Sequence, residues 1–342
     1  MQVWQKSIQK NSESREKTKQ VESKAVCGGS KVKIAILGSG ALGSVIGGVL
    51  TEAGSEVYLI RRSAEYVHIM NREGLTLHEG THRRNVRVRA TTDCSSIGTV
   101  DLVIVLVKSY HTKEAIEMAR PMIGKHTMVM SLQNGLGNEE MIAEAVGKEH
   151  VLVGRTYVGG VMLDPGQVSA GTKGKHTYIG ELDGQVTERV KRVADVFNQS
   201  GLETTVSDNI MGIMWDKLLI NVATGALCSI TRLPYGGLYS VPELRNCALS
   251  AVAEGIAVAQ AAGVELSIQA PEQAWIKAAE GLPDDFKPSM LQSIESGMPT
   301  EIDFINGSVV RWGAKWGVPT PVNSVLMACV KGIEYGLRHK RS

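Results

Sequence analysis

The sequence predicts an α/β domain with a parallel sheet, followed by a second domain made only of helices. In the first half of the chain, short apolar runs rich in β-branched residues alternate with segments of helical spacing. Such runs are typical of strands buried on both faces of a parallel sheet. After about residue 207 every periodic segment has helical spacing, and glycines and prolines separate the segments. The alternation therefore predicts the α/β class, and the change of pattern places a domain boundary near residue 208.

The predicted elements follow in chain order. Strands are expected at 32–37, 56–60, 101–107 and 127–132, with further β-like segments at 151–158 and 176–179. Helices of the first half are expected at 41–53, 112–122 and 186–199. In the second half, apolar residues recur at helical spacing in 210–227, 241–262, 269–280, 287–295, 301–316 and 321–337.

Composition and charge narrow the class of protein. The chain has 342 residues, 43% hydrophobic and 21% charged, as expected for two globular domains. Residues 1–30 are polar and basic, and we expect a flexible extension there, followed by domains at 31–207 and 208–342. The net charge of +2 collects at the two chain ends, which argues against a nucleic-acid partner, and no apolar run suits a membrane span. Five scattered cysteines without metal-ligand spacing indicate reduced thiols, no metal site and a cytoplasmic location.

A glycine-rich loop joins the first predicted strand to the first predicted helix. Its spacing is GxGxxG: the first glycine permits a tight turn, the second leaves room for a diphosphate, and the third lets the helix pack closely. The amides at the N-terminus of the helix would face the phosphates. This context predicts a Rossmann-type dinucleotide-binding domain that holds its ligand through Gly38, Ser39, Gly40, Ala41, Leu42 and Gly43.

The residues at the end of the second predicted strand indicate which dinucleotide binds. An acidic residue there would bind the ribose 2′-hydroxyl of NAD, but this chain has Arg61 and Arg62. A guanidinium group is a planar, charged and fork-shaped partner for a 2′-phosphate. The sequence therefore predicts NADP(H) as the cofactor.

Polar residues suited to the reduction of a carbonyl group occur in two settings. Lys108 and Asn134 each follow a predicted parallel strand, where open α/β sheets bind ligands, although such residues can equally be loop groups. Lys217 and Asn221 lie one helical turn apart on one face, so that both could donate to a keto acid. A lysine on a helix is more often a solvated surface charge, and the spacing alone leaves both interpretations open.

Together these stretches resemble the ketopantoate reductases (2-dehydropantoate 2-reductases). The resemblance runs from about residue 31 to 337 and is most specific in Lys287-Pro288-Ser289-Met290-Leu291-Gln292 and Thr300-Glu301-Ile302-Asp303-Phe304-Ile305-Asn306-Gly307. It implies an N-terminal Rossmann domain, a C-terminal helical domain and an active site in the cleft between them. It also implies NADPH-dependent reduction of 2-dehydropantoate to D-pantoate in pantothenate and coenzyme A biosynthesis.

The resemblance further implies roles for individual residues. The catalytic residues would be Glu301 and Lys217, of which Lys217 is the general acid and also contacts the substrate. Asn221 and Ser289 would bind the carboxylate and hydroxyl groups of the substrate. The nicotinamide and ribose end of the cofactor would be lined by Lys108, Asn134, Gly160 and Glu301.

The chain departs from the family pattern on the substrate side. Where the family usually has a second asparagine one turn after Asn221, this chain has Gly225, and Tyr235 replaces the asparagine of a Pro-Asn-Gly loop. Reduction of another 2-keto acid, as by a D-2-hydroxyacid dehydrogenase of the D-mandelate type, therefore stays open. A non-catalytic NADP(H)-binding sensor is a second alternative, against which the presence of both Lys217 and Glu301 argues. The expected partner is a small-molecule 2-keto acid, and the helical domain could form a homodimer interface.

Overall fold

A sheet of eight strands forms the framework of residues 32–339, the part of the chain that the computed structural model describes. Numbered in chain order, its strands are β1 (Lys33–Leu37), β2 (Glu56–Ile60), β5 (Arg89–Thr91), β6 (Leu102–Val105), β7 (Met128–Ser131), β8 (Val151–Thr156), β11 (Thr177–Glu181) and β12 (Thr204–Val206). Their order is β12-β11-β8-β7-β6-β1-β2-β5, and every neighbouring pair is parallel except β8 with β11. The predicted extension at 1–30 lies outside the described residues.

The central strands explain where a ligand can bind. All residues of β6, and all but the first residue of β1, are buried, because these strands carry apolar side chains on both faces. Parallel neighbours bring their carboxyl ends to one edge of the sheet. The residues that follow β1, β6 and β7, among them Gly38, Lys108 and Asn134, therefore meet at this edge.

Five helices accompany the strands, and a second sheet packs against the first of them. The helices are α1 (Ala41–Glu52), α2 (Ala64–Glu73), α3 (Thr112–Ala119), α4 (Asn138–Val146) and α5 (Glu188–Gln199). The second sheet has the order β4-β3-β10-β9, from β3 (Leu75–Glu79), β4 (His82–Val86), β9 (Gly159–Asp164) and β10 (Gln167–Gly171). A Cβ on Gly160 of β9 would lie 2.8 Å from the side chain of Val45 in α1. This close packing brings Gly160 to the start of α1.

From residue 210 to 339 the chain is helical. The helices are α6 (Ile210–Thr231), α7 (Tyr235–Tyr239), α8 (Pro242–Ala261), α9 (Pro271–Ala279), α10 (Ser289–Glu295), α11 (Asn306–Trp316) and α12 (Pro321–His339). Helix α6 forms the centre of this half, with Trp215, Leu219 and Val222 fully buried. Among the described residues, α6 alone is long and apolar enough to cross a membrane, and 67% of its most apolar window is buried in the fold. Core packing accounts for its apolar character.

The fold class is confirmed, and one predicted helix is wrong at its start. The segment expected to run as a helix over 301–316 instead forms a 3₁₀ turn, Ile302–Phe304, before α11 begins at Asn306. Ile305 leaves helical geometry with φ −109° and ψ −94°. The carbonyl of Phe304 accepts a hydrogen bond from the amide of Leu136 at 3.0 Å, so tertiary contacts at the end of β7 interrupt the helix.

Candidate active site

The loop after β1 packs its backbone against a neighbouring strand end and against α1. Gly38 has φ +95°, and a Cβ there would lie 2.6 Å from the backbone nitrogen of Val107. A Cβ on Gly43 would lie 2.3 Å from the carbonyl oxygen of Gly38, so only glycine allows this close packing. A Cβ on Gly40 would meet no atom within 4 Å, and no side chain caps α1. The N-terminus of α1 therefore faces open space with its amides available to an anion.

A cleft of about 680 Å³ opens at this edge of the sheet. Its walls include every residue that the sequence predicts for the cofactor, namely Gly38, Ser39, Gly40, Ala41, Leu42, Gly43, Arg61, Arg62, Lys108, Asn134, Gly160 and Glu301. They also include residues that the sequence analysis missed, such as His111 and Glu114. Lys217, Asn221 and Ser289 do not line this cleft. The structure thus gathers the predicted cofactor residues in one place and leaves the predicted substrate residues outside its walls.

The two arginines after β2 have different surroundings. The guanidinium of Arg61 donates to the carbonyl oxygen of Ser39 and lies 3.9 Å from the ring centroid of Tyr66, and burial lowers its pKa. The side chain of Arg62 is 66% exposed. It donates to Nε2 of His111 at 3.0 Å and approaches a carboxylate of α3 at 3.7 Å. Arg61 is therefore held by the fold, whereas the charge of Arg62 faces solvent at the rim of the cleft.

Glu301 links the helical half of the chain to the end of β6. Its Oε2 lies 3.2 Å from Nζ of Lys108, and its Oε1 accepts from the amide and hydroxyl of Ser109 at 3.1 and 2.9 Å. The carboxylate is buried and the lysine half-exposed. Three donors thus fix Glu301 in one orientation, and Glu301 in turn fixes the ammonium of Lys108 at the cleft wall.

A hydrogen-bond network holds Asn134 at the end of β7. Its carbonyl oxygen accepts from Nδ2 of Asn138 at 3.1 Å and lies 3.2 Å from the hydroxyl oxygen of Ser109. Its side-chain Oδ1 accepts from Nη1 of Arg155 at 2.6 Å. The sequence analysis missed Ser109, Asn138 and Arg155, because each acts through contacts between strand ends that lie far apart in the chain.

Lys217 lies on α6 beside Arg155. Both cations lie near the ring of Tyr157, with the guanidinium carbon of Arg155 5.3 Å and Nζ of Lys217 5.8 Å from its centroid. Within residues 32–339, Nζ of Lys217 forms no ion pair or hydrogen bond. Burial, and then the charge of Arg155, lower the pKa of Lys217 to about 8. A half-buried lysine with this pKa is suited to donate a proton near neutral pH.

Two family models match most of this chain. The model described as ketopantoate reductase PanE/ApbA matches residues 34–184, and the model of its C-terminal part matches residues 209–334. The chain belongs to the ketopantoate reductase family. This is a family of oxidoreductases, so the prediction of an oxidoreductase is confirmed.

The proteins similar to this chain are named for more than one substrate. The 2-dehydropantoate 2-reductase of Pyrococcus horikoshii is 36% identical over 303 residues, which are 89% of this chain and 98% of that protein. The PanE/ApbA family ketopantoate reductase from Ralstonia eutropha JMP134 has a TM-score of 0.82 and 35% identity, over 90% of this chain and 100% of the other. A D-mandelate dehydrogenase solved with NADH and anilino(oxo)acetate also gives a TM-score of 0.82, with 29% identity and the same coverage. The shared fold therefore does not by itself select the substrate.

The positions at which this member of the ketopantoate reductase family departs from the family pattern are packed into the fold. Asn221 is half-buried one turn after Lys217 on α6, and Ser289 begins α10 at the surface. A Cβ on Gly225 would be in ordinary contact with the side chain of Met290, at 3.6 Å. The buried Tyr235 hydroxyl pairs with a threonine of α6 at 3.1 Å. The positions where the family usually carries amides are thus occupied by a glycine packed on Met290 and by a tyrosine bonded to the fold.

Proposed function

We propose that this protein reduces 2-dehydropantoate to D-pantoate with NADPH, as a cytoplasmic enzyme of pantothenate and coenzyme A biosynthesis. One observation carries the proposal: an unpaired, half-buried lysine, Lys217, stands next to the residues that wall a cleft of nucleotide size. The connection runs through Arg155, which contacts both the Asn134 amide and the ring next to Lys217. The names of the relatives, such as the 2-dehydropantoate 2-reductase of Pyrococcus horikoshii, support this substrate.

The cleft residues fit a pyridine nucleotide. The uncapped N-terminus of α1 and the open space at Gly40 suit the diphosphate. The exposed guanidinium of Arg62 is our candidate for the 2′-phosphate, and this supports NADPH over NADH. Gly160, Lys108, Asn134 and Glu301 would hold the nicotinamide and its ribose. When bound, the nucleotide supplies a hydride for the keto carbon.

The proton for the new hydroxyl would come from Lys217. As hydride reaches the carbonyl carbon, negative charge grows on the keto oxygen, and the ammonium of Lys217 both stabilises this charge and gives up its proton. A pKa of about 8 keeps most of the lysine protonated at pH 7 and lowers the cost of the transfer. One hydride on carbon and one proton on oxygen complete the alcohol.

The remaining site residues would bind and orient. Asn221, on the same face of α6 as Lys217, and Ser289 at the start of α10 would bind polar groups of the substrate. Glu301 would act by holding Lys108 against the ribose and nicotinamide end of the nucleotide. This arrangement assigns the nucleotide to residues 31–207 together with Glu301, and most substrate contacts to residues 208–342. The homodimer remains a prediction.

A second candidate is reduction of a different 2-keto acid with an apolar side chain. The packing of Gly225 on Met290 and the buried Tyr235 favour it, because less polar residues stand where the family usually carries amides. The similarity to D-mandelate dehydrogenase supports the same class of reaction.

A substrate panel tests both candidates. NADPH oxidation is followed with 2-dehydropantoate, benzoylformate, 2-ketoisovalerate and pyruvate, and each is repeated with NADH. We expect kcat/KM for 2-dehydropantoate with NADPH to exceed every other combination by about tenfold or more, which is about 1.4 kcal/mol of transition-state binding. A preference for benzoylformate would establish the second candidate, and absence of turnover with every keto acid would refute both.

A further inference from the structure

The side chain of Arg155 has no contact with the ligand in the proposed function, where it only connects Asn134 to Lys217. It lies near the carboxyl end of β8, between β7 and β11, and is 8% exposed. Its Nη1 donates to Oδ1 of Asn134, while its Nε is buried without a hydrogen-bond partner. No carboxylate of residues 32–339 lies within 4 Å of this guanidinium. A buried cation with a free donor and no counter-charge is therefore built into the fold.

Other arginines of the chain show what a structural role looks like here. Arg189 of α5 reaches the buried carboxylate of Glu181 through Nε at 2.7 Å and also through Nη2. That pair satisfies both the charge and the donor geometry of a guanidinium. Arg155 has neither. Because an unpaired buried charge is strongly unfavourable, its retention points to an anion that arrives with a ligand.

The position of Arg155 identifies the part of the ligand that it meets. On one side it contacts Asn134, a wall residue of the nucleotide cleft, and on the other it shares the ring of Tyr157 with Lys217. A 2-keto acid has its carboxylate directly bonded to the keto carbon. A group that binds the carboxylate must therefore lie beside the group that protonates the keto oxygen and beside the nicotinamide. Arg155 lies between residues assigned to these two tasks.

We propose that Arg155 binds the α-carboxylate of the substrate and thereby restricts the enzyme to 2-keto acids. This inference rests on the proposed function, because it assigns a substrate group within the same site. A guanidinium edge and a carboxylate match as a two-point pair, and the free Nε is one of its donors. Arg155 would then supply a polar contact on a substrate side where Gly225 has removed one. Asn221 and Ser289 would be left to bind the other polar groups of the substrate.

The test compares an acid with its neutral ester. Wild type, Arg155→Met and Arg155→Lys are assayed with the best 2-keto acid of the substrate panel and with the methyl ester of that acid. Wild type is expected to favour the acid by at least about 100-fold in kcat/KM, because only the acid pairs with the guanidinium. Arg155→Met should lose about 100-fold or more with the acid, mainly through KM, and little with the ester. Arg155→Lys should recover part of the loss.

Several outcomes would overturn the inference. One is an unchanged acid-to-ester ratio in Arg155→Met. Another is an equal loss with acid and ester together with weaker NADPH binding, since that pattern shows that Arg155 only positions Asn134. Arg192 is exposed on α5 and provides the matched control. Arg192→Met should change neither the acid-to-ester ratio of kcat/KM nor the affinity for NADPH. If Arg155→Met shows no cooperative thermal transition and so does not fold, the acid-to-ester ratio of kcat/KM is measured in Arg155→Gln and Arg155→Lys instead.

A binding measurement separates failure of this inference from failure of the proposed function. Should wild type turn over no keto acid, the proposed function fails, and oxamate, an unreactive carboxylate of the same shape, is titrated into the NADPH complex. Binding that is lost in Arg155→Met and kept in Arg192→Met supports the carboxylate site. Equal oxamate affinity in wild type and Arg155→Met, or no binding to either, refutes it.

Discussion

The pH dependence of turnover tests the role of Lys217 directly. Two effects lower the pKa of Lys217 from 10.5 to about 8, of which burial is the larger and the charge of Arg155 the smaller. A general acid works only when protonated, so activity should be full below this pKa and fall above it. With a pKa of about 8, about nine tenths of Lys217 is protonated at pH 7 and about one tenth at pH 9. We therefore expect kcat/KM to fall about tenfold per pH unit above pH 8.

The assay is kcat/KM for the best 2-keto acid from pH 6 to 10, since kcat/KM reports the pKa of the free enzyme. Lys217→Ala should lose about 10²–10⁴ in rate at pH 7 and should show no fall near pH 8, while NADPH affinity is kept. Removal of the neighbouring charge in Arg155→Met should move the fall to higher pH, yet keep it below 10.5, because burial remains. The reasoning is refuted if Lys217→Ala retains turnover, or if it shows the same fall as wild type.

Three further predictions concern cofactor choice, the cleft wall and stability. Arg62→Glu should raise KM for NADPH by about 10–100-fold, through loss of a charged hydrogen bond, and leave KM for NADH nearly unchanged, as steady-state kinetics would show. Glu301→Gln keeps an acceptor for Ser109 but removes the charge that holds Lys108, so NADPH affinity in a fluorescence titration should fall about tenfold. Lys217→Met should raise the free energy of unfolding at pH 7 by about 2–3 kcal/mol, because the folded protein disfavours the charged lysine. In urea titrations, the unfolded wild type binds more protons than the folded form between about pH 8 and 10.5, so its stability should rise with pH there, and Lys217→Met should lack this rise.

The glycine-rich loop could be predicted because its glycine spacing is itself visible in the sequence. Gly38 and Gly43 are required by backbone contacts within or next to the loop, and their spacing carries that requirement in the sequence. The same holds for Lys108 and Asn134, whose place at the sheet edge follows from the strands before them. Residues whose role depends on contacts with neighbouring strands show no such pattern in the sequence. Arg155, in a β-like segment, gives no sign in the sequence that the fold buries it.

The small sheet and the break before α11 are parts of the fold that local sequence patterns also could not predict. Strand β3 pairs with β10, whose paired residues come 91 positions later, so this pairing has no local signal. Strand β4 begins with four consecutive polar residues, His82 to Asn85, and has no clear strand pattern. The sequence at 301–316 does have helical spacing, but the contact of Phe304 with Leu136 outweighs it. Local propensity is a weak preference that tertiary contacts override.

The net charge of the chain says little about its anionic ligands, because several cations of residues 32–339 are already paired with carboxylates. Arg84, Arg89 and Arg189, for example, each lie within 3 Å of a carboxylate oxygen. Arg155 and Lys217 have no such partner among the described residues, and both are shielded from solvent. Screening by salt weakens exposed charges much more than buried ones, so an anion at this pair gains more than it would at the surface. Under the proposed function, the burial of these two unpaired cations, and not the net charge, is what would place a 2-keto acid beside them.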